Sequence, residues 1–270
     1  MTITDPHPGL PAIDDPTMSR LRQPLIPVIR PALGTVLVLI PTLDEAENIT
    51  KLLELVRLSV PAADVLVIDD GSTDGTRRRA EVVASTLGQI RVWHRPGPRG
   101  LGEAYRAGFA LALAEGYGVV VQMDADLSHD PRHLGALVDA IGRGADVAIG
   151  SRYVPGGSTP GWPRRRRALS RAGGLYARTL LGLEAHDVTS GYRAYRSDIL
   201  RTVDLSDVTS TGFGFQIDMT ERVQRAGAKV VEVPIAFHDR IAGTSKISGR
   251  IVGEALGLVT RRALDRPQHP

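Results

Sequence analysis

The hydrophobic positions of this chain form short apolar runs that alternate with amphipathic stretches, beginning near residue 35. Thr35–Ile40 (TVLVLI) is an almost uninterrupted apolar run ended by Pro41, which is typical of a buried strand. Ala46–Leu58 follows, with apolar residues at helical spacing. Because strands that alternate with helices usually pair in parallel, the pattern indicates an α/β fold with a mostly parallel sheet. Further strands are predicted at Val65–Ile68, Ile90–Trp93, Val119–Met123 and Asp146–Ile149, with further helices at Thr76–Leu87 and Glu103–Glu115.

Beyond residue 150 this alternation stops. A stretch rich in glycine and proline, residues 154–163, precedes a basic helix predicted at Arg165–Leu181. The remaining predicted elements are a helix at Gln216–Arg225, a strand at Lys229–Val233 and a closing amphipathic helix at Ile247–Leu264.

Composition removes several classes of protein. Residues 1–33 contain seven of the chain's 18 prolines and show no hydrophobic period, which predicts a flexible leader. The absence of cysteine excludes a disulfide scaffold, a thiolate nucleophile and metal sites with cysteine ligands. No apolar run approaches the ~18 residues needed to cross a bilayer, and the N-terminus lacks the regions of a signal peptide. The expected location is therefore the cytoplasm.

The chain has a small formal charge of +3, but this charge is unevenly distributed. Residues 151–180 contain seven arginines and no acidic residue, so the other 240 residues carry a net charge of −4. A basic segment of this kind indicates an anionic partner such as a phosphate or a membrane surface. Nucleic acid is not expected, because no aromatic platform or known binding module accompanies the arginines.

A pair of aspartates, Asp124 and Asp126, directly follows the predicted strand Val119–Met123. Two carboxylates two residues apart at a strand end lie on the same side, where a parallel sheet opens its ligand crevice. They suit a hard divalent cation, Mg²⁺ or Mn²⁺, that neutralises the diphosphate of a nucleotide. The alternative interpretation is an ordinary turn that ends the strand and caps a helix.

Two rival motifs use the same residues. An EF-hand loop beginning at Asp124 would need glycine and glutamate where the chain has His129 and Gly135, so it is excluded. An aspartyl-phosphate phosphohydrolase also places D-x-D after a strand, and residues 124–128 come close to its motif. That enzyme would have the motif on its first strand and would need a downstream lysine. Here the motif follows the fourth strand, and the whole chain has only three lysines. It remains the weaker alternative.

Two earlier loops also follow predicted strands, at residues 41–48 (PTLDEAEN) and 67–76 (VIDDGSTDGT). Acidic side chains there can accept hydrogen bonds from a nucleobase or a ribose, and glycine lets the backbone approach a ligand. Taken alone, each loop is equally consistent with a capped turn in which Asp44 or Asp74 is a helix N-cap. No Walker loop and no complete G-x-G-x-x-G motif is present, so a nicotinamide dinucleotide is not expected.

In this order and spacing, the acidic segments resemble the nucleotide-sugar half of a GT-A glycosyltransferase of family 2. Five motifs narrow the resemblance to the polyprenyl-phosphate mannose synthases, the dolichol-phosphate mannose synthase family. The resemblance covers about Val36 to Leu264 and implies a single GT-A domain over residues 34–270, with amphipathic helices at its C-terminal end. The five motifs are RGLGEA at 99–104, DADLSH at 124–129, GSRY at 150–153, TSGYR at 189–193 and GTSK at 243–246.

The resemblance implies metal-dependent, inverting transfer of mannose from GDP-mannose to a polyprenyl monophosphate. The alternative within the same fold is another hexose such as glucose. By position, Asp126 is the direct metal ligand, Asp124 contacts the ribose or a metal-bound water, and Ser128 stands where some relatives have glutamine. Leu43 and Asp44 stand where relatives commonly have tyrosine and asparagine. The implied nucleotide-sugar residues are Pro41, Thr42, Asp44, Glu45, Asp69, Asp70, Arg99, Gly100, Asp124, Ala125 and Asp126, and the implied metal ligands are Asp124, Asp126 and Ser128.

An acceptor of this kind is a phosphate monoester with a second pKa of roughly 6, so its oxygen is already a nucleophile near neutral pH. Positioning and charge neutralisation should then dominate, a task that suits arginine forks better than lysine. For Asp218, implied as an acceptor-side carboxylate, the alternative is an ordinary acid near a helix N-terminus. The implied acceptor-phosphate residues are Arg152, Arg166, Ser170, Arg240 and Lys246, and the implied catalytic residues are Asp126, Arg152 and Asp218.

The predicted helix at Arg165–Leu181 mixes leucines such as Leu169 and Leu175 with arginines. A basic helix with an apolar face suits the surface of an anionic membrane, so we expect a peripheral enzyme on the cytoplasmic face. The closing helix has a similar composition. For both, the alternative is a solvated face whose apolar stripe packs on the core. A separate membrane-anchoring protein is a further possible partner, because the chain has no membrane-spanning segment after its last motif.

Overall fold

The structure is a computed structural model that describes residues 34–96, 99–205, 208, 212–239 and 249–264. The predicted leader at residues 1–33 lies outside the described residues. Within the described part, one sheet of seven strands is flanked by helices. The strands are β1 (Val36–Thr42), β2 (Asp64–Asp69), β3 (Ile90–His94), β4 (Val119–Gln122), β5 (Val147–Ser151), β6 (Arg193–Arg196) and β7 (Val230–Pro234). The helices are α1 (Ile49–Ser59), α2 (Thr76–Leu87), α3 (Leu101–Ala114), α4 (Leu134–Gly142), α5 (Arg164–Leu181), α6 (Ser197–Thr202), α7 (Phe213–Arg225) and α8 (Gly249–Leu264), with a 3₁₀ turn at Pro131–His133.

The strands are arranged in the order β3-β2-β1-β4-β6-β5-β7. Strands β1 to β4 pair in parallel, and β5 pairs in parallel with β7, so the prediction of a mostly parallel sheet is confirmed. The exception is β6, which lies antiparallel between β4 and β5 and places Tyr195 opposite both Val120 and Val147. The sequence pattern did not predict β6, because its four residues (RAYR) form no apolar run and its pairing depends on its two neighbours.

Both faces of the sheet are buried. Along β1, even-numbered residues such as Val38 belong to a core cluster with α1, α2 and α4, whereas odd-numbered residues such as Leu39 belong to a cluster with α3, α5 and α7. This explains why the strand is apolar at nearly every position rather than at alternate ones. Helix α3 approaches the sheet at Gly108, where a Cβ would lie 2.8 Å from Cδ1 of Leu39.

The elements predicted up to residue 150 appear within a few residues of their expected bounds, and α2 has the expected bounds. Two helices, α4 and α6, were not predicted. Helix α4 is nine residues long and contains two glycines, which weaken its intrinsic helix propensity. Its buried side, which includes Leu134, Leu137 and Ile141, packs in the same cluster as β1 and stabilises it.

The closing helix α8 packs against α5 and α7 rather than lying apart from the domain. Val259 is buried, and the Tyr176 hydroxyl of α5 lies 2.8 Å from the Thr260 hydroxyl. Leu256 and Leu264 are exposed, so α8 has both a packed and a solvent-facing apolar side. No helix in the described part of the chain combines the length and the apolar character needed to cross a membrane.

Candidate active site

The loops that follow β1 and β2 are joined to each other by hydrogen bonds. The Thr73 amide donates to Oδ1 of Asp44 at 2.8 Å, and the Asp44 amide donates to the Ser72 hydroxyl at 2.9 Å. The Ala46 amide donates to Asp74 at 2.9 Å. Asp44 has a φ of 53°, in the left-handed region that residues other than glycine seldom adopt. Asp44 is not the N-cap residue of the helix that follows its loop. Asp74 precedes the N-cap residue Gly75, but its carboxylate also accepts the amide of Thr76, the first residue of α2, at 2.9 Å, so it caps that helix as well as connecting the two loops.

The acidic pair at the end of β2 is also engaged within the protein. Asp69 accepts hydrogen bonds from the amides of Gly71 and Ser72, each at 3.3 Å. Asp70 is buried and binds Arg95 through both oxygens, at 2.7 and 2.9 Å. The structure thus places the carboxylates at the expected strand end, but it also gives Asp70 a partner that the motif did not reveal.

The RGLGEA motif lies against this pair. The Gly100 amide donates to Oδ2 of Asp70 at 3.0 Å, and Arg99 donates to the Gly71 carbonyl at 2.9 Å. Sequence-predicted residues from β1, β2 and the start of α3 therefore form one contiguous cluster at the carboxyl edge of the sheet. Pro41 and Thr42 belong to the last residues of β1 at the same edge.

The D-x-D aspartates lie at the carboxyl end of β4 and face a cavity of about 850 Å³. The Asp124 side chain is 33% exposed and accepts a hydrogen bond from the Tyr105 hydroxyl at 3.4 Å. Asp126 is buried, and its Oδ1 accepts from both the amide and the hydroxyl of Ser128, at 3.0 and 2.6 Å. Ser128 also lines the cavity, so the three predicted metal ligands are brought together, with the Ser128 proton donated to Asp126.

His129 supports this loop from behind and was not among the predicted site residues. It is buried, stacks on Tyr192 at 4.8 Å and meets Phe237 edge-on at 5.4 Å. Its Nδ1 accepts the Asp124 amide at 3.1 Å, so the proton of the neutral ring lies on Nε2. Burial lowers the pKa of His129, although Asp124 and Asp126 oppose this effect. A neutral imidazole therefore fixes the backbone of the D-x-D loop.

Arg152 follows β5 and lines the same cavity, but its guanidinium is buried. Nε and Nη2 donate to the two oxygens of Asp187 at 2.7 and 2.6 Å, and Nη2 also donates to Thr189 at 2.7 Å. Burial alone would lower the pKa of Arg152, but the Asp187 carboxylate outweighs this and raises it. Burial alone would raise the pKa of Asp187, but Arg152 outweighs burial and lowers it.

Sequence reasoning missed Asp187, although it lies two residues before the TSGYR motif. It also missed the aromatic side chains around Arg152. The guanidinium carbon lies 5.1 Å from the ring centre of Tyr153, 5.2 Å from that of Phe237 and 5.7 Å from that of Trp162. Tyr153 is the neighbour of Arg152 and Trp162 is ten residues away, but Phe237 comes from a distant part of the chain, so the complete cluster left no local signal.

The other predicted acceptor residues that the structure describes lie on α5 and line the cavity. Arg166 stacks on the Trp162 ring, with 4.0 Å between its guanidinium carbon and the ring centre, and forms an ion pair with Asp239. The Ser170 hydroxyl accepts from Tyr153 at 2.6 Å. Arg240 and Lys246, together with the GTSK motif, lie outside the described residues.

The comparisons with known proteins agree with this geometry. Residues 37–204 match the family described as Glycosyl transferase family 2. The chain belongs to that family. It is 51% identical over 229 residues to undecaprenyl-phosphate mannosyltransferase of Micrococcus luteus, which covers 85% of this chain and 94% of the relative. It is 49% identical over 243 residues to polyprenol monophosphomannose synthase of Mycolicibacterium smegmatis, covering 88% of this chain and 91% of the relative.

A solved structure places this family 2 glycosyltransferase among known folds. Glucosyl-3-phosphoglycerate synthase from Mycobacterium tuberculosis, in complex with Mn²⁺, uridine diphosphate and phosphoglyceric acid, superposes with a TM-score of 0.66. The two sequences are 22% identical, and the alignment covers 87% of this chain and 80% of that chain. The GT-A fold and the resemblance to polyprenyl-phosphate mannose synthases are thereby confirmed.

Of the three predicted catalytic residues of this glycosyltransferase, Asp126 and Arg152 line the cavity and Asp218 does not. The Asp218 carboxylate is buried and accepts from Nε of Arg222 at 2.7 Å. Arg262 of α8 lies 2.9 Å from the same oxygen, and Arg262 also pairs with Glu221. In this position Asp218 connects α7 to α8, as a structural acid would, and it is not a cavity-lining group.

The cavity has an apolar part that no sequence motif marked. Helices α5 and α8 both line it, and apart from Arg166, Ser170 and Tyr176 their lining residues are small or apolar. One cavity therefore combines acidic groups from β4, cations from β5 and α5, and an apolar wall. The apolar lining residues are Leu169, Ala172, Gly173, Gly174, Ala177, Leu256 and Val259.

Proposed function

We propose that this glycosyltransferase transfers mannose from GDP-mannose to the monophosphate of a polyprenol, with inversion at the anomeric carbon. One observation supports the proposal above others: the D-x-D aspartates, Arg152, Arg166 and the apolar surface between α5 and α8 all line one cavity. The aspartates match a cation with a nucleotide diphosphate, the two arginines match an anionic phosphate, and the apolar surface matches a hydrocarbon chain. The names of the two bacterial relatives, both about half identical to this chain, support mannose as the sugar and a polyprenyl phosphate as the acceptor.

On the donor side, we propose that the joined loops after β1 and β2 bind the guanosine and that Asp124, Asp126 and Ser128 bind Mg²⁺ or Mn²⁺. The oxygen-only donor set and the partly exposed Asp124 carboxylate fit a hard cation. In the part of the chain that the structure describes, no group of three or more histidine and acidic side chains could hold a metal ion. The diphosphate would therefore complete the coordination. Such a cation supplies charge neutralisation of the leaving diphosphate.

On the acceptor side, the phosphate monoester is its own nucleophile, so the protein has to position it and neutralise its charge. Arg152 suits this task because Asp187 and Thr189 fix its fork in a buried site, where electrostatic interactions are strong. Arg166 and Ser170 lie on the same helix as the apolar lining. A phosphate bound by these side chains would direct its attached chain along the cavity wall.

The exposed side of α5 supports a location at the membrane surface. Leu169 is 70% exposed and Leu175 is 60% exposed, and arginines surround both. Each basic residue near an anionic membrane contributes about 1 kcal/mol of binding free energy. We propose that α5, assisted by the exposed leucines of α8, contacts the cytoplasmic face of the membrane where the lipid acceptor resides.

The test is incubation of the purified protein with vesicles that contain polyprenyl monophosphate and a panel of labelled sugar nucleotides, followed by analysis of the lipid product. We expect mannose from GDP-mannose to appear on the lipid, EDTA to abolish the product, and Asp126→Ala to do the same. Preferential transfer of glucose would overturn the choice of sugar. Release of phosphate from simple monoesters without a sugar nucleotide would favour a phosphohydrolase instead.

A further inference from the structure

Gln216, in the first turn of α7, has a buried side chain whose polar atoms lack protein partners. Its side chain is 2% exposed, and neither Oε1 nor Nε2 has a hydrogen-bond partner among the described residues. Asp126 and Arg152 at the cavity are paired with Ser128 and Asp187. Nε1 of Trp162 at the cavity also has no partner among the described residues, but Gln216 lacks partners for both of its polar atoms. A buried amide without partners loses its hydration without compensation, which native proteins normally avoid. Such a group therefore suggests a ligand.

The Gln216 side chain lies next to Gly191 of the TSGYR motif. A Cβ built on Gly191 would lie 3.4 Å from Nε2 of Gln216, 3.5 Å from Oδ1 of Asp124 and 3.5 Å from Cε1 of His129. Gly191, Asp124 and His129 all line the cavity, as does Ile217, the neighbour of Gln216. Because residue 191 is glycine, no side chain separates the Gln216 amide from the D-x-D aspartate.

The first turn of α7 is also connected to the D-x-D loop through Tyr105 of α3. Phe215 stacks on Tyr105 with 5.8 Å between ring centres, and the Tyr105 hydroxyl donates to Asp124. Phe215, the neighbour of Gln216 in the chain, is therefore connected to Asp124 through Tyr105. This packing fixes where the amide lies relative to the donor site.

The segment 189–191 runs between the two halves of the cavity. At one end Thr189 accepts from Arg152, and at the other Gly191 adjoins Asp124. In the proposed reaction, which this argument assumes, the diphosphate lies at the D-x-D aspartates and the acceptor phosphate at the arginines. The transferred sugar must lie between them, beside this segment and the Gln216 amide.

We propose that the Gln216 side chain binds hydroxyl groups of the transferred hexosyl unit, and that Gly191 leaves the opening through which they reach it. A carboxamide offers two N–H donors and an acceptor oxygen, which match adjacent hydroxyls that each donate and accept. A neutral amide is a poor site for phosphate but a good site for a sugar. Sites that hydrogen-bond a substrate hydroxyl discriminate strongly against analogues that lack it. Gln216 is thus a specificity-determining residue for the sugar.

The first test compares binding of GDP-mannose with binding of GDP, by calorimetry with Mn²⁺ and without acceptor. Gln216→Met keeps the length of the side chain and removes its polar atoms. We expect it to weaken GDP-mannose binding about tenfold or more while GDP affinity stays within about twofold. Because the free protein loses only an unpaired buried amide, its melting temperature should equal or exceed that of the wild type. An equal loss of GDP affinity, unchanged binding of both ligands, or a clearly lower melting temperature would each overturn the proposal.

Gln224 offers a matched control on the same helix. Both polar atoms of its amide are paired, since Oε1 accepts from the Glu184 amide at 2.9 Å and Nε2 donates to the Gly182 carbonyl at 2.8 Å, and Gln224 is not among the cavity-lining residues. Gln224→Met should lower the melting temperature and leave GDP-mannose binding unchanged, the reverse of the effect expected at Gln216.

A second variant tests the opening. At Gly191 an added methyl group would make ordinary van der Waals contacts, so Gly191→Ala should fold normally yet bind GDP-mannose less tightly than the wild type. A series of GDP-mannose analogues that each lack one hydroxyl extends the test. The wild type should bind the analogue that lacks the contacted hydroxyl less tightly than GDP-mannose, whereas Gln216→Met should bind the two with similar affinity. If Gln216→Met keeps the same pattern of losses as the wild type, Gln216 does not contact the sugar.

These measurements also separate the two proposals. If the wild type prefers another sugar nucleotide, the choice of mannose fails. The role of Gln216 can then still be tested in the same way, by comparing how Gln216→Met affects the binding of that sugar nucleotide and of its nucleoside diphosphate. If the wild type binds GDP-mannose as proposed and Gln216→Met behaves like the wild type, only the role of Gln216 is overturned.

Discussion

Arg152 and Arg166 line the same cavity and carry the same charge, yet their surroundings are opposite. Arg152 is buried, paired through its fork with Asp187 and surrounded by three aromatic rings. The Arg166 side chain is 47% exposed and is paired with an equally exposed Asp239. Burial with a partner gives Arg152 one fixed geometry, whereas exposure leaves Arg166 free to exchange partners at small cost. The proposed phosphate site would therefore combine one rigid cation and one adaptable cation.

The largest expected effect comes from removing the partner of the rigid cation. Asp187→Ala would leave Arg152 buried without a counter-charge, which costs about 3–5 kcal/mol of unfolding free energy. Urea denaturation would measure it. Asp198→Ala is the control, because Asp198 forms an exposed ion pair with Arg201 on α6 and should cost less than about 1 kcal/mol. Equal costs at the two sites would contradict the distinction between buried and exposed pairs.

The same pair predicts a dependence of stability on acid. The pKa of Asp187 is lower in the folded protein than in the unfolded chain, where it is about 3.9. The contribution of the Asp187 carboxylate to the unfolding free energy is therefore fully present above about pH 3.9. It is lost as the pH falls through the folded pKa, which lies below that value. Asp187→Asn should be less stable at neutral pH, and the difference from the wild type should shrink below about pH 4. Thermal melts across this range check it; a constant difference would show that the carboxylate charge is not involved.

A third prediction concerns the adaptable cation. Arg166→Ala should raise the KM for polyprenyl phosphate about tenfold, because it removes one charge-assisted contact to the phosphate. The KM for GDP-mannose should change less than twofold, and the unfolding free energy by less than about 1 kcal/mol. Arg165→Ala, exposed on the same helix and absent from the cavity lining, controls for the loss of membrane charge. Equal losses for donor and acceptor would place Arg166 on the donor side.

The smallest effect is expected at Asp239, which lines the cavity and competes with a bound phosphate for Arg166. Asp239→Asn should lower the KM for the acceptor about two- to threefold, and the difference should narrow at high salt. Steady-state kinetics at two ionic strengths would measure this. A rise in the acceptor KM would mean that Asp239 positions Arg166 for the phosphate rather than competing with it.

Some features were predictable because their cause is local. The alternation of apolar runs and amphipathic stretches identified β1 to β5 and helices α1 to α3, and the D-x-D pair could be placed because it lies at the end of β4. The antiparallel strand β6 could not be found in this way. Its residues become a strand because β4 and β5 offer hydrogen bonds on both sides.

The same division applies to the site. Arg152, Arg166 and Ser170 were found by motif position, and the structure brings them together. Asp187 and Gln216 were not found, because each acquires its role from residues distant in sequence. Trp162 was not found either, although the arginines that it contacts, Arg152 and Arg166, lie within ten residues of it. Asp218 shows the converse: its place in the chain suggested an active-site acid, but packing of α8 against α7 supplies Arg262 and uses the carboxylate there.

The sequence by itself determined the class of the fold, the order of most of its strands and helices along the chain, and the presence of acidic loops at strand ends and of a basic segment. These follow from hydrophobic period and from motifs whose residues are neighbours. Only the tertiary structure decided which charged groups are paired, which arginine is rigid, and where an apolar wall and an unpaired amide meet the D-x-D loop. Burial and pairing depend on residues far apart in sequence, and those are the quantities that set the strength of a charge or a hydrogen bond.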